Sequence, residues 1–166
     1  MKKNLWCSFP LLLLVVLVSA CQDPCTQTTC ENGGTCLEGN CQCEVGYEGN
    51  NCELEIRAPL LGHYQLQQSC NSSEVAPYSC AIAPHWRGPL FIEFTNLDNL
   101  RNRGAAQEDR VYAELNPETM TFTIPFQQVY GHEFEGGGSW DDTGLITLEY
   151  DVFFNFVFSC EGQMVP

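Results

Sequence analysis

Apolar and polar residues alternate along the C-terminal two thirds of the chain, and this period of two predicts β-strands with one buried face. The longest run extends from Ile146 to Cys160, with apolar residues on one parity and mostly polar residues on the other. Because that run is long for one strand, we expect a bulge or a break between Asp151 and Asn155. Shorter runs with the same alternation precede it at Tyr64 to Cys70, Tyr78 to Ile82, Leu90 to Phe94, Val111 to Leu115 and Met120 to Ile124.

Clusters of Pro and Gly separate these runs and mark turns. Gly136-Gly137-Gly138 predicts a bend or bulge, and Asp141-Asp142-Thr143-Gly144 predicts a hairpin turn. The segment from Asn96 to Arg110 is polar and is predicted to be a loop with at most one helical turn. We therefore expect residues 57–166 to form seven or eight short antiparallel strands. The predicted fold is mainly β, a meander closed into a barrel, with a two-layer sandwich as the alternative.

The first 20 residues have the composition of a secretory signal peptide. Two lysines precede an apolar run at residues 11–18, and small residues, Ser19 and Ala20, follow it. The apolar stretch that begins at Trp6 is shorter than the ~20 residues that a transmembrane helix needs. We expect residues 1–20 to be removed during secretion.

The end of this leader, Val18-Ser19-Ala20-Cys21, resembles the bacterial lipobox. That resemblance implies cleavage before Cys21 and attachment of a diacylglyceride to its thiol, and several acyl chains on one residue anchor a protein stably. The resemblance also implies export across the inner membrane and a position on the outer membrane or the cell surface. Ordinary cleavage after Ala20, with Cys21 left as a plain cysteine, is the alternative.

Six closely spaced cysteines follow within 28 residues. A unit this short cannot bury enough apolar surface alone, so a disulfide framework is expected, although six cysteines allow 15 pairings. Zinc is disfavoured because no paired C-x-x-C segments occur. The spacing C-x4-C-x5-C-x4-C-x-C-x8-C, with Gly33-Gly34 before the third cysteine and Gly46-Tyr47 after the fifth, resembles an EGF-like domain, here residues 21–56. The resemblance implies the pairs Cys25–Cys36, Cys30–Cys41 and Cys43–Cys52, and the module lacks the acidic positions of calcium-binding EGF domains.

The remaining domain, residues 57–166, resembles the lipocalin-like domains of Bacteroidota lipoproteins. The resemblance rests on G-x-Y-x-L-x-x-x-C at residues 62–70, I-P-x-Q at residues 124–127 and a closing strand that ends in cysteine. It implies a bridge between Cys70 and Cys160. Cys80 is then left as a buried free thiol that acts as a small hydrophobic residue. Parity alone leaves the pair Cys70–Cys80 open.

The net charge of the chain after the leader disfavours some classes of partner. After the leader the chain has no lysine, and five arginines against 21 acidic residues give a formal charge of −16. Such a surface repels phosphate backbones and anionic lipid, so neither nucleic acid nor adsorption on an anionic membrane by charge is expected.

No arrangement of side chains predicts catalysis. His63, His85 and His132 lack metal-ligand spacing, and no enzyme signature surrounds Cys80. The carboxylates of Asp141-Asp142 fit a turn better than an acid–base pair. We expect no catalytic residue, no cofactor and no metal site.

Large aromatic residues lie on the predicted inner faces, and the default expectation is that they fill the core of a small barrel. A cavity for one small apolar ligand is the alternative. We expect a non-enzymatic surface lipoprotein that binds a protein or a glycan. A carrier of an apolar ligand is the second hypothesis, and a hydrolase or thiol enzyme is the third. The predicted inner aromatic residues are Phe94, Phe122, Tyr150, Phe154, Phe156 and Phe158, and the candidate ligand or contact residues are Phe94, Phe122, Phe154, Phe156 and Trp140.

Overall fold

The structure is a computed structural model, and it describes residues 23–104 and 109–166. The predicted signal peptide and the predicted lipidation site at Cys21 lie outside these residues. Within the described ranges, no helix has the length and apolar character needed to cross a membrane.

The N-terminal module has little regular structure and is held by disulfides. Its strands form two short antiparallel pairs, β1 (Thr35–Leu37) with β2 (Asn40–Gln42) and β3 (Tyr47–Glu48) with β4 (Leu54–Glu55), after a 3-10 helix at Pro24–Thr26. The bonds are Cys25–Cys36, Cys30–Cys41 and Cys43–Cys52, the same pairs that the EGF-like spacing implies.

The C-terminal domain is a closed barrel of eight antiparallel strands. Each strand pairs with the next along the chain, and the last strand pairs with the first to close the barrel. The prediction of a mainly β protein with an antiparallel meander barrel is confirmed, and the sandwich alternative is wrong. The strands are β5 (Gly62–Cys70), β6 (Ser73–Pro84), β7 (Phe91–Thr95), β8 (Arg110–Asn116), β9 (Thr121–Val129), β10 (His132–Trp140), β11 (Ile146–Phe154) and β12 (Phe156–Val165).

The interior of the barrel is packed with apolar side chains, as the alternation predicts. Phe94 and Phe122 lie at its centre, with ring centroids 5.4 Å apart. Cys80 is buried among them as a free thiol, while Cys70 and Cys160 form a disulfide between directly paired residues of β5 and β12. The core also includes Leu66, Ile82, Ile92, Val111, Leu115, Ile124, Phe134, Ile146, Leu148, Val152 and Met164.

The long C-terminal run breaks where a break was expected. Asn155 takes a left-handed conformation with φ of 61° and forms a tight turn between β11 and β12. The inward placement predicted for the phenylalanines near this turn is wrong, because Phe154, Phe156 and Phe158 are 48%, 76% and 39% exposed. They share the inward parity, but β12 pairs with β5 only from Cys160 to Val165. The β11–β12 hairpin therefore projects beyond the end of β5, and these three side chains are incompletely covered.

The segment after β7 is also more ordered than predicted. A 3-10 segment spans Leu97–Arg103, and a kink with left-handed conformations at Asp98 and Asn99 divides it. Leu97 and Leu100 stand on either side of this kink, and both are fully buried in the core of the barrel. Two leucines among polar residues were too weak a pattern to predict this element, and they close part of one barrel end.

Both predicted irregularities of β10 and its following turn are present. The β9–β10 register shifts between Phe134 and Gly136, which is the expected bulge. At Gly138 a Cβ atom would collide with the carbonyl oxygen of Thr147 and the ring of Phe122, so the strand passes close to its neighbours there. In the turn after β10, the Asp141 carboxylate accepts hydrogen bonds from the amides of residues 143 and 145.

The module packs against one end of the barrel through the linker that follows β4. Arg57 is buried, and its Nη1 donates hydrogen bonds to the carbonyl oxygens of His85, Gly88 and Phe91 at 2.8, 2.7 and 2.7 Å. Its Nε donates to the Glu55 carboxylate at 2.8 Å. We call this the module end of the barrel, and the opposite end, which contains the 3-10 segment and the β11–β12 turn, the distal end.

Candidate functional site

The distal end carries an exposed apolar surface on the β11–β12 hairpin. Phe154, Phe156 and Val157 form this surface, which we call the aromatic tip, and all three side chains are exposed. A groove of about 400 Å³ runs beside it and is also lined by Gly131 and Glu133. Exposed apolar residues that adjoin one another are candidates for a contact site, in contrast to apolar residues scattered singly.

Below the tip, the distal end of the barrel interior contains a cluster of buried polar side chains. The Tyr150 hydroxyl donates a hydrogen bond to Gln68 Oε1 at 2.8 Å. His132 Nδ1 lies 3.9 Å from Asp98 Oδ2, and both residues are buried. The imidazole ring of His132 stacks on Phe154 with ring centroids 4.6 Å apart, so the polar cluster supports one edge of the aromatic tip.

A cavity of about 510 Å³ opens at the same end. We call it the mouth cavity. Polar side chains contribute much of its wall, while Val75, Phe158 and the disulfide at Cys70 supply apolar surface. The mouth of a barrel is a common position for small-molecule sites, and this volume lies within their usual range. Its polar wall includes Gln68, Asn71, Ser73, Glu74, Asp98, Asn99 and Asn102.

The electrostatics of the interior keep its weak acids neutral. Burial raises the pKa of Tyr78, and the neighbouring Cys80 and Asp98 raise it further. Burial likewise raises the pKa of Tyr150 well above its ordinary value. Burial raises the pKa of Cys80 to about 12. A thiol that is protonated at neutral pH is a poor nucleophile, so the interior does not favour thiol chemistry.

The histidines and the paired acids lie on different elements of the fold. His63 is exposed on β5, His85 is in the β6–β7 turn and His132 is in the distal polar cluster. Hydrogen bonds from Thr143 hold the pKa of Asp141 below its usual range, as expected of a carboxylate that accepts hydrogen bonds within its own turn. Across residues 23–104 and 109–166, no three His, Cys, Asp or Glu side chains are grouped as metal ligands would be.

Of the predicted contact residues, only two come together at the surface. Phe154 and Phe156 form the aromatic tip, whereas Phe94 and Phe122 lie in the core, where no partner reaches them. Trp140 is half-buried at the module end, beside Leu60. The sequence analysis missed the distal polar cluster. Gln68 gave one usable signal, since a glutamine occupies an inward position of β5 after Tyr64 and Leu66.

Comparison with known proteins relates the module to EGF-like proteins. No family model matches the chain. Fibropellin-1 of Strongylocentrotus purpuratus is 46% identical over 52 residues, which cover 29% of this chain and 5% of that protein. Human Protein Cripto is 34% identical over 65 residues, 39% of this chain and 31% of that protein. Human Multimerin-1 is 32% identical over 115 residues, 64% of this chain and 8% of that protein.

Among solved structures, a redesigned β-barrel matches 66% of this chain and 92% of its own length, with 10% sequence identity and a TM-score of 0.45. The relatives and the three disulfides together show that the N-terminal module is EGF-like. Four disulfides in one small chain also indicate a protein that folds in an oxidising compartment, as secreted proteins do. The chain is thus a disulfide-containing β protein that joins an EGF-like module to an eight-stranded barrel.

Proposed function

We propose that the protein is a non-enzymatic surface lipoprotein that is anchored through Cys21 and binds a partner protein with the aromatic tip. The observation that carries the proposal is the exposure of Phe154 and Phe156 at the end of the barrel opposite the EGF-like module. Cys21 precedes the module in the chain, and the module packs against the other end of the barrel. The proposed anchor would therefore leave the distal end facing away from the membrane. Lipidation itself rests on the lipobox resemblance at residues 18–21.

The chemistry of the tip favours a protein over a glycan. Phenylalanine and valine side chains have no polar atom with which to bind sugar hydroxyls, whereas buried aromatic anchors supply much of the energy of protein interfaces. His132 and the cross-strand pair of Phe154 with Phe156 hold the tip in place. A held aromatic side chain loses little conformational entropy on binding, which strengthens the contact.

The test of partner binding is a double substitution, Phe154→Ser with Phe156→Ser. Both phenylalanines are exposed, so the barrel should stay folded, and the loss of stability should be limited to the ring contact between Phe154 and His132. Affinity for a partner captured from surface extracts should fall at least about 30-fold. The matched control is Phe126→Ser, which removes a 60% exposed ring from the barrel wall. Equal capture by the double variant and by the control would refute the proposed surface. If the double variant failed to capture a polysaccharide while its capture of proteins was unchanged, a protein partner would be refuted.

The anchor is tested separately from the partner. Mass spectrometry of the mature N-terminal peptide should show a diacylated Cys21, and Cys21→Ala should move the protein from the membrane fraction to the soluble fraction. An unmodified Cys21 on a membrane-bound protein would contradict the lipid anchor. It would leave the aromatic tip untouched, because the two proposals rest on different residues.

A second candidate function, a carrier of a small ligand, is favoured by the mouth cavity alone. Apolar side chains fill the middle of the barrel, so the space for a ligand is the mouth cavity, with its mixed polar and apolar wall. Native mass spectrometry of the purified full chain distinguishes the two functions. A co-purified small molecule that disappears in Phe158→Ala would favour the carrier, whereas a mass equal to the bare chain would favour partner binding.

A further inference from the structure

The turn between β6 and β7 exposes a tryptophan at the module end of the barrel. The Trp86 side chain is 84% exposed, more than any other large hydrophobic side chain that the structure describes. A tryptophan carries more apolar surface than almost any other residue, and leaving it in water forgoes the stabilisation of burial. The Trp86 ring is therefore available for contact with a molecule outside the barrel.

Beside it, the guanidinium group of Arg87 rests on aromatic rings. Its Cζ lies 4.7 Å from the ring centroid of Tyr112 and 5.8 Å from those of Trp86 and Phe91. Such distances are those of cation–π contacts. Among the described residues, Arg57, Arg101 and Arg110 each have a carboxylate within salt-bridge distance. Arg87 has none among the same residues. The N–H edge of this guanidinium is thus free for an outside carboxylate, in a chain with 21 acidic residues.

His85 completes the cluster as a neutral ring. It stacks on Tyr112 with centroids 5.5 Å apart and an angle of 21° between the planes. Burial lowers the pKa of His85, and the nearby Arg87 and Arg57 lower it further against the opposing effect of Glu93. Arg87 is therefore the cation that faces a ligand at this turn at neutral pH.

The EGF-like module and its linker hold this turn in place from behind. Arg57 donates to three of its carbonyl oxygens, those of His85, Gly88 and Phe91. Gly46 of the module is buried against Pro89, where a Cβ atom would come within 2.6 Å of the proline ring. A surface fixed before binding loses little conformational freedom when the ligand arrives.

We propose that Trp86 and Arg87 form a binding site for an acidic sugar, the carboxylate-bearing pyranose of a glycan. The flat face of the indole ring fits the apolar C–H face of a pyranose, and the planar guanidinium fork binds a carboxylate with two parallel hydrogen bonds. Long polyanions such as nucleic acid are disfavoured, because the rest of the mature chain is strongly acidic. This site lies at the other end of the barrel from the aromatic tip and goes beyond the proposed partner protein.

The test is a titration of the full chain, solubilised in neutral detergent, with a glucuronate-terminated disaccharide and with its neutral glucose-terminated counterpart. Trp86 is exposed, so binding should quench and blue-shift its fluorescence. The acidic sugar should bind at least about tenfold more tightly than the neutral one. Titration calorimetry measures the variants, because Trp86→Ala removes the fluorescent ring. Trp86→Ala and Arg87→Lys should each weaken that binding about tenfold, since lysine keeps the charge but lacks the fork. The control Phe126→Ala should bind like the original chain.

Three outcomes would overturn the site. These are equal affinity for the two sugars, no measurable affinity for either, and unchanged affinity in Trp86→Ala. A parallel titration of a Cys21→Ala chain with phosphatidylglycerol vesicles tests whether the site binds a lipid surface instead. Binding to the vesicles without binding to the acidic sugar would also overturn the proposed site. Phe154→Ser with Phe156→Ser should leave sugar binding unchanged, so failure of this site and failure of the aromatic tip are separate results.

Discussion

The module at residues 25–52 and the barrel at residues 62–165 are stabilised by opposite means. Three disulfides cross-link the module, and Cys52 is its one buried hydrophobic side chain among the described residues. The barrel has one disulfide and a core of 22 buried side chains, which includes Leu60 of the linker. The difference follows from size, because a module of fewer than 40 residues cannot bury enough apolar surface to offset its chain entropy. Disulfides therefore stabilise the module, whereas apolar packing stabilises the barrel.

The largest effect should come from removing one module disulfide, Cys30→Ser with Cys41→Ser. Loss of a native disulfide from a small domain costs about 2–5 kcal/mol, which is enough to unfold a module without a core. Hydrogen exchange should show complete loss of protection in residues 23–55 and unchanged protection in β8 to β11. A module that stays protected would show that packing against the barrel, and not the disulfides, holds it.

The matching change in the barrel is Phe134→Ala, which removes a fully buried ring. The cavity left behind should lower the free energy of unfolding by about 3–5 kcal/mol, measured by urea denaturation. The module disulfides should stay intact in this variant. Phe126→Ala serves as the control and should change stability by less than about 0.5 kcal/mol, because that ring is exposed. Similar losses in both variants would mean that the interior is loosely packed.

Sequence patterns predict these two regions to different depths. The cysteine spacing predicts the module, and the resemblance to EGF-like domains implies its pairing. The alternation of residues such as Tyr78, Cys80 and Ile82 predicts the strands and their inward faces. Alternation alone cannot say where a strand leaves its neighbours. The exposure of Phe156 arises because β12 extends beyond its pairing with β5, which begins only at Cys160, and this is a property of the closed barrel. The distal polar cluster was missed for a similar reason, since Asp98 and His132 are brought together only by closure.

The contact between the two regions is tested by Arg57→Ala. Three backbone carbonyl oxygens lose a buried donor, and each unsatisfied group costs about 1–3 kcal/mol unless water replaces it. We expect faster proteolysis at residues 54–60 and faster tumbling of the module in NMR relaxation, with both folds intact. Arg87→Ala is the control, because it removes an exposed arginine from the β6–β7 turn that Arg57 contacts. Unchanged relaxation in Arg57→Ala would show that other contacts fix the module.

The smallest effect is a dependence of barrel stability on alkaline pH. Burial raises the pKa values of Cys80, Tyr78 and Tyr150 in the folded barrel. Above about pH 9 the unfolded chain therefore loses protons that the folded barrel retains, and its stability falls as pH rises. Below that pH these groups contribute no slope. Urea midpoints at pH 8, 10 and 11 should fall in the original chain and fall less in Tyr150→Phe. A flat profile would mean that these hydroxyls are solvated.

The central claim is that the partner protein is recognised at the distal end of the barrel, with the module as its base, whereas the sugar site at Trp86 and Arg87 is a separate proposal. Photo-crosslinking in the producing cells, with p-benzoylphenylalanine in place of Phe156 or of Leu54, tests it most directly. Both positions are exposed, one in the aromatic tip and one in the module. The predicted result is a discrete cross-linked protein from position 156 and none from position 54. Cross-links of equal yield at both positions, or from position 54 alone, would contradict the claim.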